Sequence, residues 1–280
     1  MKNFKNNFNL HEKLKYYSEK IYTKGNLNTL DEDIILGNIN HNSYGLQGLI
    51  IKSNENIIII FKGSEITKAD GIRDYIDDIN MINYTVPKQM KLAEAFVQNL
   101  IYQYNIPKER IILAGHSLGG SITQYICSKN NLQGVTFNAY GIGHLIPKGT
   151  NIYEDNIINY CNPKDIVANS NAINLLGECF EIPNKQYLDD SIKEIHSCES
   201  MGPLHERKRV DKYSIQKNWK DNINERIPLA TSKDVHVDAY KRSDGTPVKE
   251  HTRSMPNELK SKRLSEMTKE ELDVALDYLM

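Results

Sequence analysis

Residues 110–128 constrain this chain more than any other stretch. An apolar run, Arg110-Ile111-Ile112-Leu113-Ala114, leads into Gly115-His116-Ser117-Leu118-Gly119-Gly120, and a helical pattern continues to residue 128. Strand, glycine-rich turn and helix in that order place Ser117 on a sharp reversal, where a Cβ on a neighbouring residue would clash. The free N–H groups and positive dipole end of the following helix then face whatever reacts at the serine. Ser117 is therefore the candidate nucleophile.

The surrounding pattern predicts an α/β layer fold. Strand-like and helix-like segments alternate over about 45–185, as in a mostly parallel sheet flanked by helices. Gly48-Leu49-Ile50-Ile51-Lys52 and Asn56-Ile57-Ile58-Ile59-Ile60-Phe61 read as two strands joined through Ser53-Asn54-Glu55, a turn composition that predicts a hairpin. Leu92, Phe96, Leu100 and Tyr104 mark one face of a helix over 88–104. Further strands are expected at 135–138, 156–161 and 178–182, the last closing the sheet.

Composition excludes several classes. The 280 residues carry 35 Lys and Arg against 36 Asp and Glu, so global charge gives no argument for nucleic acid or an anionic surface. The apolar run 57–61 is far short of the roughly 18 residues that would span a bilayer, so no transmembrane segment is expected. The start, Met1-Lys2-Asn3-Phe4-Lys5-Asn6-Asn7, has no apolar stretch behind it and does not read as a secretory signal peptide. The expected location is the cytoplasm, or export by machinery that reads no cleavable signal. Cys127, Cys161, Cys179 and Cys198 form no Cys-x-x-Cys pair, so a zinc site of that type has no support and they are expected to be buried thiols; serine chemistry at Ser117 calls for no metal and no cofactor.

A serine hydroxyl is a weak nucleophile until a histidine takes its proton and a carboxylate fixes that imidazole. Asp165 follows a predicted strand and Ser117 in the chain, and is the candidate acid; an Asx turn or helix cap is its alternative reading. His196 and His205 are the candidate bases, with His196 preferred and His205 the alternative. His116 is set aside, because its side chain should point away from the elbow. His236 and His251 read as tail residues, either solvated or capping.

The same segments resemble those of the class 3 lipases. Gly115-His116-Ser117-Leu118-Gly119-Gly120 resembles that family's nucleophile motif. Phe61-Lys62-Gly63-Ser64 stands where the family has an aromatic-basic-glycine-hydroxyl motif, and Asp74-Tyr75-Ile76-Asp77-Asp78-Ile79 resembles the helix that follows. Phe137-Asn138-Ala139-Tyr140-Gly141 and Asn162-Pro163-Lys164-Asp165-Ile166-Val167 match in order, and His196-Ser197-Cys198-Glu199-Ser200-Met201 resembles a His-Ser segment of bacterial relatives. The likeness covers roughly 45–205. It implies an α/β-hydrolase fold and a serine hydrolase of lipid esters, phospholipase A1-like or acylglycerol-cleaving. It also implies an oxyanion hole at Ser64 and Leu118, and a lipid or phospholipid substrate at a membrane surface. Residues 65–87 stand at the family's lid; Glu65, Asp70, Asp74, Asp77 and Asp78 suit polar-headed lipids or soluble esters better than an oil droplet. A small-ester or thioester hydrolase and a non-catalytic binding module are the other readings.

Residues 1–230 are expected to form the catalytic domain, and 231–280 a small basic tail. From 205 to 263 there are 15 Lys and Arg against 9 Asp and Glu. Val235, Val237 and Ala239 with the turn Ser243-Asp244-Gly245-Thr246 predict a hairpin, and Thr268-Lys269-Glu270-Glu271 opens a predicted helix. Residues 235–248 are similar to a short motif at the ends of assorted bacterial and phage-associated proteins. For an exported effector, a carrier or immunity protein would be the partner.

Overall fold

The computed structural model describes residues 4–23, 28–41, 45–64, 86–185, 192–215 and 217, together with four short strands between 235 and 253. Helix α1 (Phe8–Lys20) starts at Asn7, whose side chain accepts the Leu10 N–H. Strands β1 (Ile34–His41), β2 (Leu46–Ser53) and β3 (Asn56–Phe61) form an antiparallel meander, with the expected hairpin between the last two. Helix α2 (Lys88–Gln103) leads to β4 (Ile111–His116), α3 (Leu118–Asn130), β5 (Gln133–Phe137) and β6 (Ile157–Cys161). The short helix α4 (Ile166–Ser170), β7 (Glu178–Glu181), the short helix α5 (Ile192–His196) and β8 (Lys208–Val210) follow.

Among the described residues, β1 to β8 lie in one sheet in sequential order, parallel from β3 to β7 and antiparallel at both margins. This is the mostly parallel, helix-flanked sheet of the α/β-hydrolase class. Alternation along the strands divides the core. Ile59, Phe61 and Leu113 face α2 and α3, whereas Ile58, Ile60, Ile112, Val135, Phe137, Ile158 and Tyr160 face α1. The buried row of α2 is Met90, Ala93 and Val97, and Tyr104 is 71% exposed. A spacing of four advances about 40° beyond a full turn at each step, so the expected stripe swings out of the core by its last member.

The structure differs from the sequence reading at both ends of the sheet. Strand β1 and helix α1 precede the region of alternation, and β7 is not the last strand. The charged run after Gly202-Pro203 is a 3-10 turn (Leu204–Glu206) followed by β8 on the open edge of β7. In the tail, β9 (Val235–Val237) pairs with β12 (His251–Arg253), and β10 (Tyr240–Lys241) pairs antiparallel with β11 (Pro247–Val248); the expected turn at 243–246 lies outside the described residues. The predicted final helix lies outside the described residues, as do the Asp74–Ile79 match and the expected lid apart from Val86 and Pro87. All four cysteines are buried and free.

The candidate active site

The register of the parallel strands sets the site. Phe61 pairs with Gly115, His116 with Phe137, and Phe137 with Tyr160, so β3 to β6 end nearly flush. The residues that follow these ends, Lys62-Gly63-Ser64, Ser117, Asn138 and Asn162, all emerge at one edge of the sheet. That edge is where sites of open α/β folds are built.

Ser117 sits there at φ 58° and ψ −128°, a conformation that L residues avoid. Its amide is tied to the Phe137 carbonyl at 3.0 Å and its carbonyl accepts the Ser121 N–H at 3.1 Å, so the strain is held from both sides. Its hydroxyl makes no capping bond to α3. The flanking glycines are required by contact: an added Cβ on Gly115 would lie 2.3 Å from the Gly119 carbonyl carbon, and one on Gly119 would lie 2.1 Å from the Phe61 oxygen. The start of α3 is thus pressed onto the end of β3. Gly63 lies against the same turn, since a Cβ there would be 2.8 Å from the His116 oxygen and 3.2 Å from the Leu118 nitrogen.

Asp165 is fully buried at the start of α4. Its Oδ1 accepts the Ala168 N–H at 2.7 Å, and its Oδ2 lies 2.6 Å from His196 Nδ1. The helix-cap role and the histidine contact, alternatives in the sequence, are both present, one on each oxygen. A carboxylate so placed fixes the proton on Nδ1 and leaves Nε2 as the basic nitrogen. The His196 ring lies 4.4 Å, centroid to centroid, from that of His116, the chain neighbour of Ser117, which brings the imidazole to the elbow.

His205 is not brought to this pair. It stands in the 3-10 turn with a side chain 67% exposed, 4.0 Å from Glu206. The two candidates separate because α1 grips the intervening segment. Glu19 accepts the Cys198 N–H, Lys20 pairs with Glu199, Lys15 donates to the Gly202 carbonyl and Glu12 accepts the Leu204 N–H.

A buried polar cradle, missed in the sequence, surrounds the end of α5. The Asn138 amide donates to the His196 carbonyl at 2.9 Å, and its oxygen accepts the Asn162 N–H at 2.8 Å. The Asn162 amide and the Ser200 hydroxyl both donate to the Ile195 carbonyl. One signal was legible: Asn138 and Asn162 each directly follow an apolar strand, and a polar side chain buried there needs partners. Among the described residues no cluster of His, Cys, Asp and Glu could hold a metal ion.

No family model matches the chain, and no curated protein matches it. Among solved structures it is similar to a triacylglycerol lipase from Penicillium expansum, at 17% identity over 74% of this chain and 84% of that one, with a TM-score of 0.45. The Rhizomucor miehei lipase propeptide complex is 17% identical over 65% and 69% of the two chains, TM-score 0.41. Lip2 lipase from Yarrowia lipolytica is 14% identical over 64% and 79%, TM-score 0.42. The chemistry of the site rests on its own geometry.

Proposed function

We propose that this chain is a serine hydrolase that cleaves carboxylic esters of lipids through an acyl-enzyme. The observation that carries the reading is the buried Asp165–His196 contact of 2.6 Å beside a serine held at φ 58° on a strand-to-helix turn. Strain of this kind persists only where the surroundings enforce it, and it lifts the serine hydroxyl clear of the sheet edge.

In the reaction, Ser117 Oγ attacks the acyl carbonyl while His196 Nε2 takes its proton. Asp165 keeps the Nδ1 proton and stabilises the imidazolium without itself becoming protonated. The oxyanion is received by the backbone N–H groups of Leu118 and Ser64; the packing of Gly63 against the Leu118 amide supports that pairing. The alcohol leaves with the proton from His196, and water then repeats the cycle on the acyl-serine. Each proton and charge in this scheme is handled by a group of this chain.

The finer substrate reading is a phospholipid, cleaved in phospholipase A1 fashion, ahead of a triacylglycerol; the acidic composition of 65–87 supports it. The test is fatty-acid release from phosphatidylcholine vesicles, triolein emulsion and a soluble p-nitrophenyl ester by wild type and Ser117→Ala. Release that requires Ser117 and favours the vesicles is expected. Turnover of the soluble ester alone would replace lipid with small ester. Equal release by wild type and variant would end the serine-hydrolase reading.

A further inference from the structure

His116, set aside at the level of sequence, is buried at the centre of the site. Its Nε2 lies 2.6 Å from the carbonyl oxygen of His196, and its Nδ1 lies 3.3 Å from the Tyr22 hydroxyl. A carbonyl can only accept, so Nε2 carries the proton and Nδ1 is left to accept from Tyr22. The Tyr22 oxygen in turn accepts the Gly63 N–H at 2.8 Å. These bonds tie the loop after β3, the end of α1 and the nucleophile turn to the backbone of His196.

We infer that His116 is a positioning residue whose Nε2–H, together with the Asn138 amide, holds the His196 carbonyl and so aims the imidazole at Ser117. Its catalytic consequence rests on the serine-hydrolase reading above. The need for such a clamp follows from local structure. His196 ends a helix of only five residues, too short to hold its own last carbonyls rigidly, and a base misplaced by a fraction of an ångström loses rate. Two donors on one carbonyl, from the ends of two adjacent strands, fix the backbone from which the ring projects. Burial, and then the charge of neighbouring His196, hold His116 well below the usual histidine range. It therefore stays a neutral donor while the imidazolium forms at a ring 4.4 Å away, where a second cation would oppose it.

The test compares His116→Leu with His116→Gln in the full chain, since the glutamine amide can still donate to the carbonyl and leucine cannot. One readout is kcat and KM on a soluble p-nitrophenyl ester. The other is the far-downfield proton resonance of His196 Nδ1–H, assigned by its loss in Asp165→Asn. Leucine is expected to lower kcat about tenfold with KM little changed, and to shift or broaden the resonance, while glutamine restores both. An unchanged resonance and kcat in the leucine variant, or equal losses in both variants, would overturn the inference. Asn138→Asp is isosteric, keeps an acceptor for the Asn162 N–H and removes the second donor. It should reproduce the leucine effect should that variant fail to fold, and wild-type behaviour there would equally overturn the inference. A wild type without turnover would count against the hydrolase reading alone, and the resonance would then decide this inference by itself.

Discussion

Oδ2 of Asp165 lies 2.6 Å from Nδ1 of His196 in a site where the aspartate is fully buried and the histidine nearly so. The other oxygen of the same carboxylate caps α4 through the Ala168 N–H. One side chain thus starts a helix and orients an imidazole, and a suitable substitution can separate the two duties.

Asp165→Asn is that substitution. The asparagine oxygen can still accept the Ala168 N–H, so the cap survives, while its NH2 presents a donor to Nδ1 and favours the wrong histidine tautomer. Ester turnover is expected to fall by about 10³-fold or more, with a stability loss of about 1 kcal/mol. Paired kinetics and thermal melts check it. A variant within tenfold of wild-type kcat would remove Asp165 from the mechanism.

Gly119→Ala tests the packing that strains Ser117. The new Cβ would lie 2.1 Å from the Phe61 oxygen and 2.8 Å from its carbon, and backbone on a central strand cannot swing aside. A loss of about 3 kcal/mol or more is expected, against a change within about 0.5 kcal/mol for Gly37→Ala, where a Cβ meets nothing within 4 Å. Denaturant melts of the two variants give the comparison, and similar midpoints would contradict it.

Acid stability should reflect His11. It is fully buried, 2.7 Å from the Tyr160 hydroxyl, and burial followed by the Arg207 charge lowers its pKa to about 4. The unfolded chain binds this proton below about 6.5 and the folded chain only near 4, so the unfolded state holds more protons between those values. Stability therefore falls as pH drops through that window, by about 3 kcal/mol in all from this group. Buried His116, also lowered, adds in the same direction. Urea midpoints of wild type and His11→Gln between pH 7 and 4 check this: the variant should show the shallower slope, and parallel slopes would contradict the assignment.

These residues also show what could be read from sequence. The Ser117 turn is a local event of strand, glycines and helix, and so is the placement of Asp165 just beyond β6; both positions were legible. Choosing between His196 and His205 was not local, because it depends on Glu12, Lys15, Glu19 and Lys20 of α1 gripping residues more than 170 positions away. Helix α1 itself gave a weak signal, since its buried face includes His11, Tyr17 and Ser18 rather than a run of aliphatics. Strand β8 gave none: Lys208 and Arg209 are exposed on an edge, and pairing with β7 makes them a strand. The positioning role inferred for His116 had no local signal, because its partners, Tyr22 and the His196 carbonyl, come from two other parts of the chain.

The most direct test of the central claim is labelling by a fluorophosphonate, which reacts only with an activated serine. Wild type, Ser117→Ala, His196→Ala and His205→Ala are compared at equal concentration by labelling rate. The account predicts rapid labelling of wild type and His205→Ala, none of Ser117→Ala, and a rate reduced by about 10³-fold or more in His196→Ala. Labelling that survives the loss of His196 but fails with His205→Ala, or a folded wild type that does not label at all, would contradict it.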